Sequence, residues 1–172
     1  MCSSDLSKID AERAILDAGN STSLRLATVF GVSPRLRIDL LVNDFVFQAA
    51  RNRFVVVFEG HFKRNYIHVT DVVRAFIHGI DNFESMRGQI YNVGLSEANI
   101  SKAELCSWIK KHIPEFVVME AALALYPDQR NYIVSNAKIE SKGFNPKVNL
   151  ESGIDELSKF LKMFDQRSHS NI

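Results

Sequence analysis

The chain has 172 residues, room for one ordinary domain or for one domain and part of another. Its 46% hydrophobic and 24% charged residues place it among globular chains and exclude disordered, collagen-like and coiled-coil classes. With 21 basic against 20 acidic residues the net charge is +1, which argues against a broad nucleic-acid footprint and a polybasic membrane anchor. No apolar run approaches the roughly 18 residues of a membrane span, and no basic segment followed by an apolar one opens the chain. The two cysteines, Cys2 and Cys106, can build neither a disulfide framework nor a zinc site. The expectation is a soluble cytoplasmic protein with no nucleic-acid or membrane partner.

Met1-Cys2-Ser3-Ser4-Asp5-Leu6 is what GTG-TGC-TCT-TCC-GAT-CTN, the end of a common short-read sequencing adapter, would encode if GTG served as the start codon; an ordinary disordered N-terminus carrying a chance hexapeptide is the plain alternative. Residues 1–6 are therefore expected to be foreign, and the native coding sequence to begin near Ser7. From Ser7 to Ala18 the apolar stripe Ile9, Ala11, Ala14, Ile15 and Ala18 predicts a helix, stopped at Gly19-Asn20. Residues 23–30 read as one strand ending at Gly31, apolar on both faces like a central parallel strand. No strand precedes it, so alone it would leave unpaired edges, and the helix before it would expose its apolar stripe. Pro34, Arg35 and Arg37 mark a loop, and residues 39–50 a second helix. The apolar run 54–58 suggests a buried strand.

Residues 66–69 form a short strand, after which Thr70 or Asp71 offers an N-cap to a helix with Val72, Phe76, Ile80 and Phe83 on one face. Residues 89–93 are a strand closed by Gly94. Ser101 and Glu104 stand three apart as a capping box for a helix whose core side carries Leu105, Trp108, Ile109 and Ile113. Residues 116–119 and 132–134 read as short strands, and 136–141 and 150–164 as helices, with a polar, frayed tail after Asp165. Strands and helices alternate throughout, so the class is α/β.

Four stretches in this order resemble the extended short-chain dehydrogenase/reductase family, the nucleotide-sugar epimerases and dehydratases. They are Ser-Lys-x-x-x-Glu (7–12), Leu-Arg-Leu-x-x-Val-Phe-Gly (24–31), Arg-Asn-Tyr-Ile-His-Val-Thr-Asp-Val (64–72) and Tyr-Asn-Val-Gly (91–94). A fifth, weaker one is Arg-Asn-Tyr-x-x-Ser-Asn-x-Lys-Ile (130–139). The resemblance covers residues 7–164 and implies a truncated version of that fold, the end of a Rossmann-like parallel sheet plus a smaller α/β substrate-binding domain. Residues 7–31 would be the last helix and strand of the dinucleotide-binding domain. Residues 32–165 would be mainly the nucleotide-sugar-binding region, with 64–94 able to return to the Rossmann sheet, and 166–172 a tail.

The resemblance also implies roles. Lys8 matches the lysine of a Tyr-x-x-x-Lys pair, which binds the nicotinamide ribose and lowers the pKa of the catalytic tyrosine; a solvated helix lysine is the plain alternative. Ser4 stands at the tyrosine position, and a serine hydroxyl cannot serve as that acid/base. No Gly-x-x-Gly-x-x-Gly string follows any strand, so the dinucleotide platform is missing. Arg64 matches a diphosphate-contacting arginine, with Asn65 where the family pattern has aspartate. Arg130 resembles a second arginine closing over the nucleotide. Thr28 falls where many members carry a substrate-touching asparagine, and Asp39 and Leu40 open the helix that faces the diphosphate.

The intact parent would use NAD or NADP and a nucleotide-sugar substrate, possibly as a homodimer, while the fragment is expected to bind no cofactor and to be inactive. A non-catalytic nucleotide or nucleotide-sugar binding module is the alternative, and a fragment that never folds stably is a third reading. Among the other polar residues, Arg35 and Arg37 form a basic pair beside the cleft. His68 is expected as a packed, hydrogen-bonded histidine, Asp71 as an N-cap and Asn92 as a turn-stabilising amide, with Cys106 and Trp108 in the core.

Overall fold

A computed structural model of the protein describes residues 3–121 and 131–168. Helix α1 (Ser3–Asp17) leads into β1 (Ser23–Leu26) and β2 (Thr28–Phe30), followed by α2 (Leu41–Arg51) and β3 (Phe54–Phe58). Next come the short strands β4 (Lys63–Arg64) and β5 (Tyr66–His68), then α3 (Val69–Asp81), α4 (Phe83–Met86) and β6 (Ile90–Val93). β7 (Ile100–Ser101), α5 (Lys102–His112), β8 (Val117–Ala121), α6 (Ala137–Glu140) and α7 (Leu150–Ser168) complete the chain.

The single strand expected over 23–30 is two strands that break at Ala27 and change partner. β1 pairs in parallel with β6, Ser23 opposite Ile90 and Leu26 opposite Val93. β2 pairs in parallel with β5, Thr28 opposite Tyr66 and Phe30 opposite His68. The strand thus finds its neighbours downstream rather than standing alone. At the break Ala27 N donates to Val93 O at 2.9 Å, and Thr28 N donates to Asn65 O at 3.0 Å. The Asn65 side chain, 2% exposed, sits in the opening and donates from Nδ2 to Leu95 O at 2.6 Å. Gly94 permits this, since a Cβ there would overlap the Asn65 amide.

Two cores flank these strands. In one, Val42, Phe45 and Val46 of α2 meet Leu105 and Ile109 of α5, Ile154 and Leu157 of α7, and Phe30. In the other, Val72 and Ala75 of α3 meet Ile67, Tyr91, Val93, Met86, Ile139 and Phe144. α7 approaches β2 closely at Gly153, where a Cβ would overlap the Phe30 ring. The Ser101–Glu104 capping box is present with both reciprocal bonds, and Cys106 lies in the core. Trp108 is only partly buried and stacks under Lys111 Nζ at 4.6 Å.

Several expectations give way to tertiary context. The N-cap of α3 is His68, whose Nδ1 accepts from Thr70 N at 3.3 Å. Its Nε2 lies 3.0 Å from Glu156 Oε2, an ion-pair approach rather than an aligned hydrogen bond. Asp71 is fully buried instead of capping. It accepts from Lys147 N and Val148 N, at 3.0 and 2.8 Å, and pairs with Arg74. Phe76 and Ile80 of α3 face outward, while Asp71, Val72 and Ala75 form its buried side, so the face expected to hold Val72, Phe76 and Ile80 together is split. β3 is buried only at Val55 and Val57; it pairs with β8, and Phe54, Val56 and Phe58 share an exposed face with Val117 and Met119. α1 exposes Ile9 and Ile15, in line with the expected exposure of its apolar stripe. α7 continues as helix through Ser168 rather than fraying after Asp165.

The two helical glycines separate backbone cost from packing. Nothing lies near a Cβ at Gly79 of α3, so Gly79→Ala should raise unfolding stability by about 0.5–1 kcal/mol. Gly153→Ala should lower it by about 1–3 kcal/mol through overpacking against Phe30. Asn65→Leu should cost about 1–3 kcal/mol by leaving Leu95 O without its donor. Urea unfolding of the three variants checks all of these values.

Candidate functional site

The change of partner at Ala27 opens a crevice at the carboxyl ends of β1 and β6, the place in a parallel sheet where ligands are received. A cleft of about 390 Å³ lies there, lined by Lys8, Leu26, Ala27, Thr28, Arg64, Asn65, Tyr132 and Val134. Three of the residues singled out in the sequence, Lys8, Thr28 and Arg64, come together from α1, β2 and β4, segments far apart in the chain.

Lys8 reaches the cleft because α1 is docked one turn further on, at Glu12. Its carboxylate accepts from Ser23 Oγ at 2.6 Å and from Arg25 Nε at 2.9 Å. Hydrogen bonds from Arg25 and Ser23 hold the Glu12 carboxyl below the usual carboxylate range. Ser4 and Lys8 stand one helical turn apart on α1. Arg64 belongs to β4, which pairs antiparallel with β7. Its Nη1 donates to Lys63 O at 3.2 Å, and its Cζ lies 4.6 Å from the centroid of the Tyr132 ring.

The segment 131–135 closes one side. Its residues 132–134 are not a strand, since side-chain amides take the place of a ladder. Asn131 Oδ1 accepts from Lys63 N at 2.7 Å, and Tyr132 N donates to Lys63 O at 3.1 Å. Asn99 bonds both backbone groups of Val134, at 2.9 and 3.0 Å. Asn92, rather than stabilising a turn, donates to Ser135 O at 3.2 Å.

Asp39 and Leu40 lie at the start of α2 and do not line this cleft. The Asp39 carboxylate takes the Arg37 guanidinium, with Nε to Oδ1 at 3.0 Å, and that hydrogen bond lowers its pKa. Leu40 is the N-cap residue of α2, and no side chain caps that end. Arg35 and Arg37 are exposed and outside the cleft lining. Arg130 lies outside the described residues. Tyr132 and Asn65 were not read as site residues from the sequence. Their signals were an aromatic directly after Arg130-Asn131 and an amide where the family pattern carries aspartate.

The residues present fit a dinucleotide cofactor poorly. No Gly-x-x-Gly-x-x-Gly string occurs in the sequence, and among the described residues no strand opens onto a glycine-rich phosphate cradle. Among the described residues, no cluster of three His, Cys, Asp or Glu could hold a metal ion, and no helix is long and apolar enough to cross a membrane. Burial pushes the Cys106 thiol up to about 12, which makes it a core group rather than a nucleophile.

Residues 5–94 match the model of the NAD dependent epimerase/dehydratase family. Among solved structures, RMD from Pseudomonas aeruginosa complexed with NADPH superposes with a TM-score of 0.78 at 18% identity, covering 92% of this chain and 56% of that one. The dTDP-glucose 4,6-dehydratase of Bacillus anthracis in complex with NAD gives 0.76 at 18% identity, over 96% and 54%. UDP-glucose 4-epimerase of Thermotoga maritima with UDP-glucose gives 0.68 at 25% identity, over 82% and 45%. This chain spans about half the length of the structures it matches. With the family model matched over more than half of its residues, and the same fold found in these enzymes, the chain belongs to the NAD-dependent epimerase/dehydratase family.

Proposed function

We propose that this chain is the nucleotide-sugar-binding portion of an NAD(P)-dependent epimerase/dehydratase. The observation that carries the reading is the cleft where Lys8, Thr28 and Arg64 converge. A diphosphate carries its charge on oxygens set tetrahedrally about each phosphorus, two of which the planar guanidinium fork can meet at once, so Arg64 is the anchoring group. Thr28 offers a hydroxyl to the sugar side, and Lys8 adds a second cation at the same opening. Arg130 keeps the role the family resemblance implies, a second arginine closing over the nucleotide, and Asp39 and Leu40, outside this cleft, keep that of opening a helix toward the diphosphate. In the intact parent the nicotinamide cofactor would supply the hydride chemistry, and this chain's residues would bind and orient the sugar nucleotide. Related enzymes are solved with UDP-glucose and with UDP-glucuronic acid, which makes UDP a suitable probe.

The chain by itself should neither bind NADH in the micromolar range nor turn over a nucleotide sugar, because it holds Ser4 at the tyrosine position and no glycine-rich turn. Titration followed by NADH fluorescence checks this, and saturable micromolar binding would overturn it. For the anchor, Arg64→Ala should weaken UDP binding about 10- to 150-fold, the loss of one charge-assisted hydrogen bond. Arg87→Ala should change little, since that exposed guanidinium donates to Gly19 O and does not line the cleft. Calorimetric titration of the three proteins decides it; equal losses from both substitutions would show that only net charge matters.

A further inference from the structure

We propose that Tyr132 is the positioning residue for Arg64, its ring fixing the guanidinium plane that a nucleoside diphosphate meets in the cleft. The inference rests on the binding reading above and extends it to Tyr132, a residue given no role in the sequence analysis.

The ring and the guanidinium are 4.6 Å apart, centroid to Cζ, at the attractive distance for a cation over an aromatic face. Both line the same cleft. An arginine side chain has many rotamers, and two-point recognition of a diphosphate works only from one orientation of its planar fork. A stacking partner helps only if it is itself fixed, and Tyr132 is fixed through its backbone on both sides. Before it, Asn131 is tied to Lys63 N, and Tyr132 N is tied to Lys63 O, the residue preceding Arg64. After it, Val134 is held by both polar atoms of the Asn99 amide, and Ser135 O by Asn92. Ring and guanidinium are therefore carried by neighbouring backbone that is itself cross-linked, so their relative placement is set before any ligand arrives. Tyr132 remains 42% exposed, which leaves it at the cleft surface.

The experiment uses the 172-residue chain, with UDP as the probe and the variants Y132L, Y132F, R64A and R64A/Y132L. Y132L should weaken UDP binding about 2- to 30-fold, the range that cation–π energies convert to. Y132F, which keeps the ring, should restore wild-type affinity. In the R64A background Y132L should cost nothing further, because the effect passes through Arg64. Without ligand, the Arg64 Hδ resonances should show an upfield ring-current shift in wild type and Y132F that is lost in Y132L. A normal Arg64 Hδ shift in the wild type overturns the proposal whatever UDP does. So do full Y132L affinity, a Y132F loss as large as that of Y132L, or an equal Y132L penalty in the R64A background. Failure of the wild type to bind UDP, or binding indifferent to R64A, overturns the binding reading and this inference with it. A loss in R64A with none in Y132L overturns this inference alone.

Discussion

The arrangement depends on one buried amide. Asn65 stands where the strand 23–30 leaves β6 and joins β5, and its Nδ2 bond to Leu95 O fills the gap that the change of partner opens. A carbonyl stranded in that gap would cost on the order of 1–3 kcal/mol, so the sheet can split only where such a donor is supplied. Asn65 brings Arg64 to the rim of the opening on one side, and the break puts Thr28 on the other. The cleft is a consequence of the split sheet rather than a depression added to it.

Charge groups with different surroundings then hold the walls. Glu12 anchors α1 through Ser23 and Arg25 while half of that pair stays in water, so it fixes position more than it adds stability. Asp71 is the opposite case. It is fully buried, bonded to two backbone amides and paired with Arg74, and it ties α3 to the connection leading into α7. A carboxylate so satisfied is stable where an unpaired one would not be, which explains why it lies inward instead of capping the helix it opens.

The connection from β8 back to α6 shows how side chains can replace a ladder. Asn131, Asn99 and Asn92 give the segment 131–135 the hydrogen bonds that a neighbouring strand would otherwise provide. An asparagine amide carries both N–H donors and a carbonyl acceptor, the two kinds of group that a peptide unit offers, so asparagines can align a chain without regular pairing.

The alternation of strands and helices and the Ser101–Glu104 cap were legible in the sequence, because each depends on residues close together in the chain. Lys8, Thr28 and Arg64 were legible as candidates through their motifs, but nothing in their spacing said that they would share one opening. Apolar periodicity also misplaced the outer faces of α3 and β3, since it reports which residues are apolar and not which of them finds a neighbour. By itself the sequence determined the local elements and the chemistry available to the site. Tertiary structure decided the partner switch at Ala27, the burial of Asp71 and the meeting of Tyr132 with Arg64. Each of those joins groups distant in the chain, and only the folded backbone brings their hydrogen bonds and ring contacts within reach.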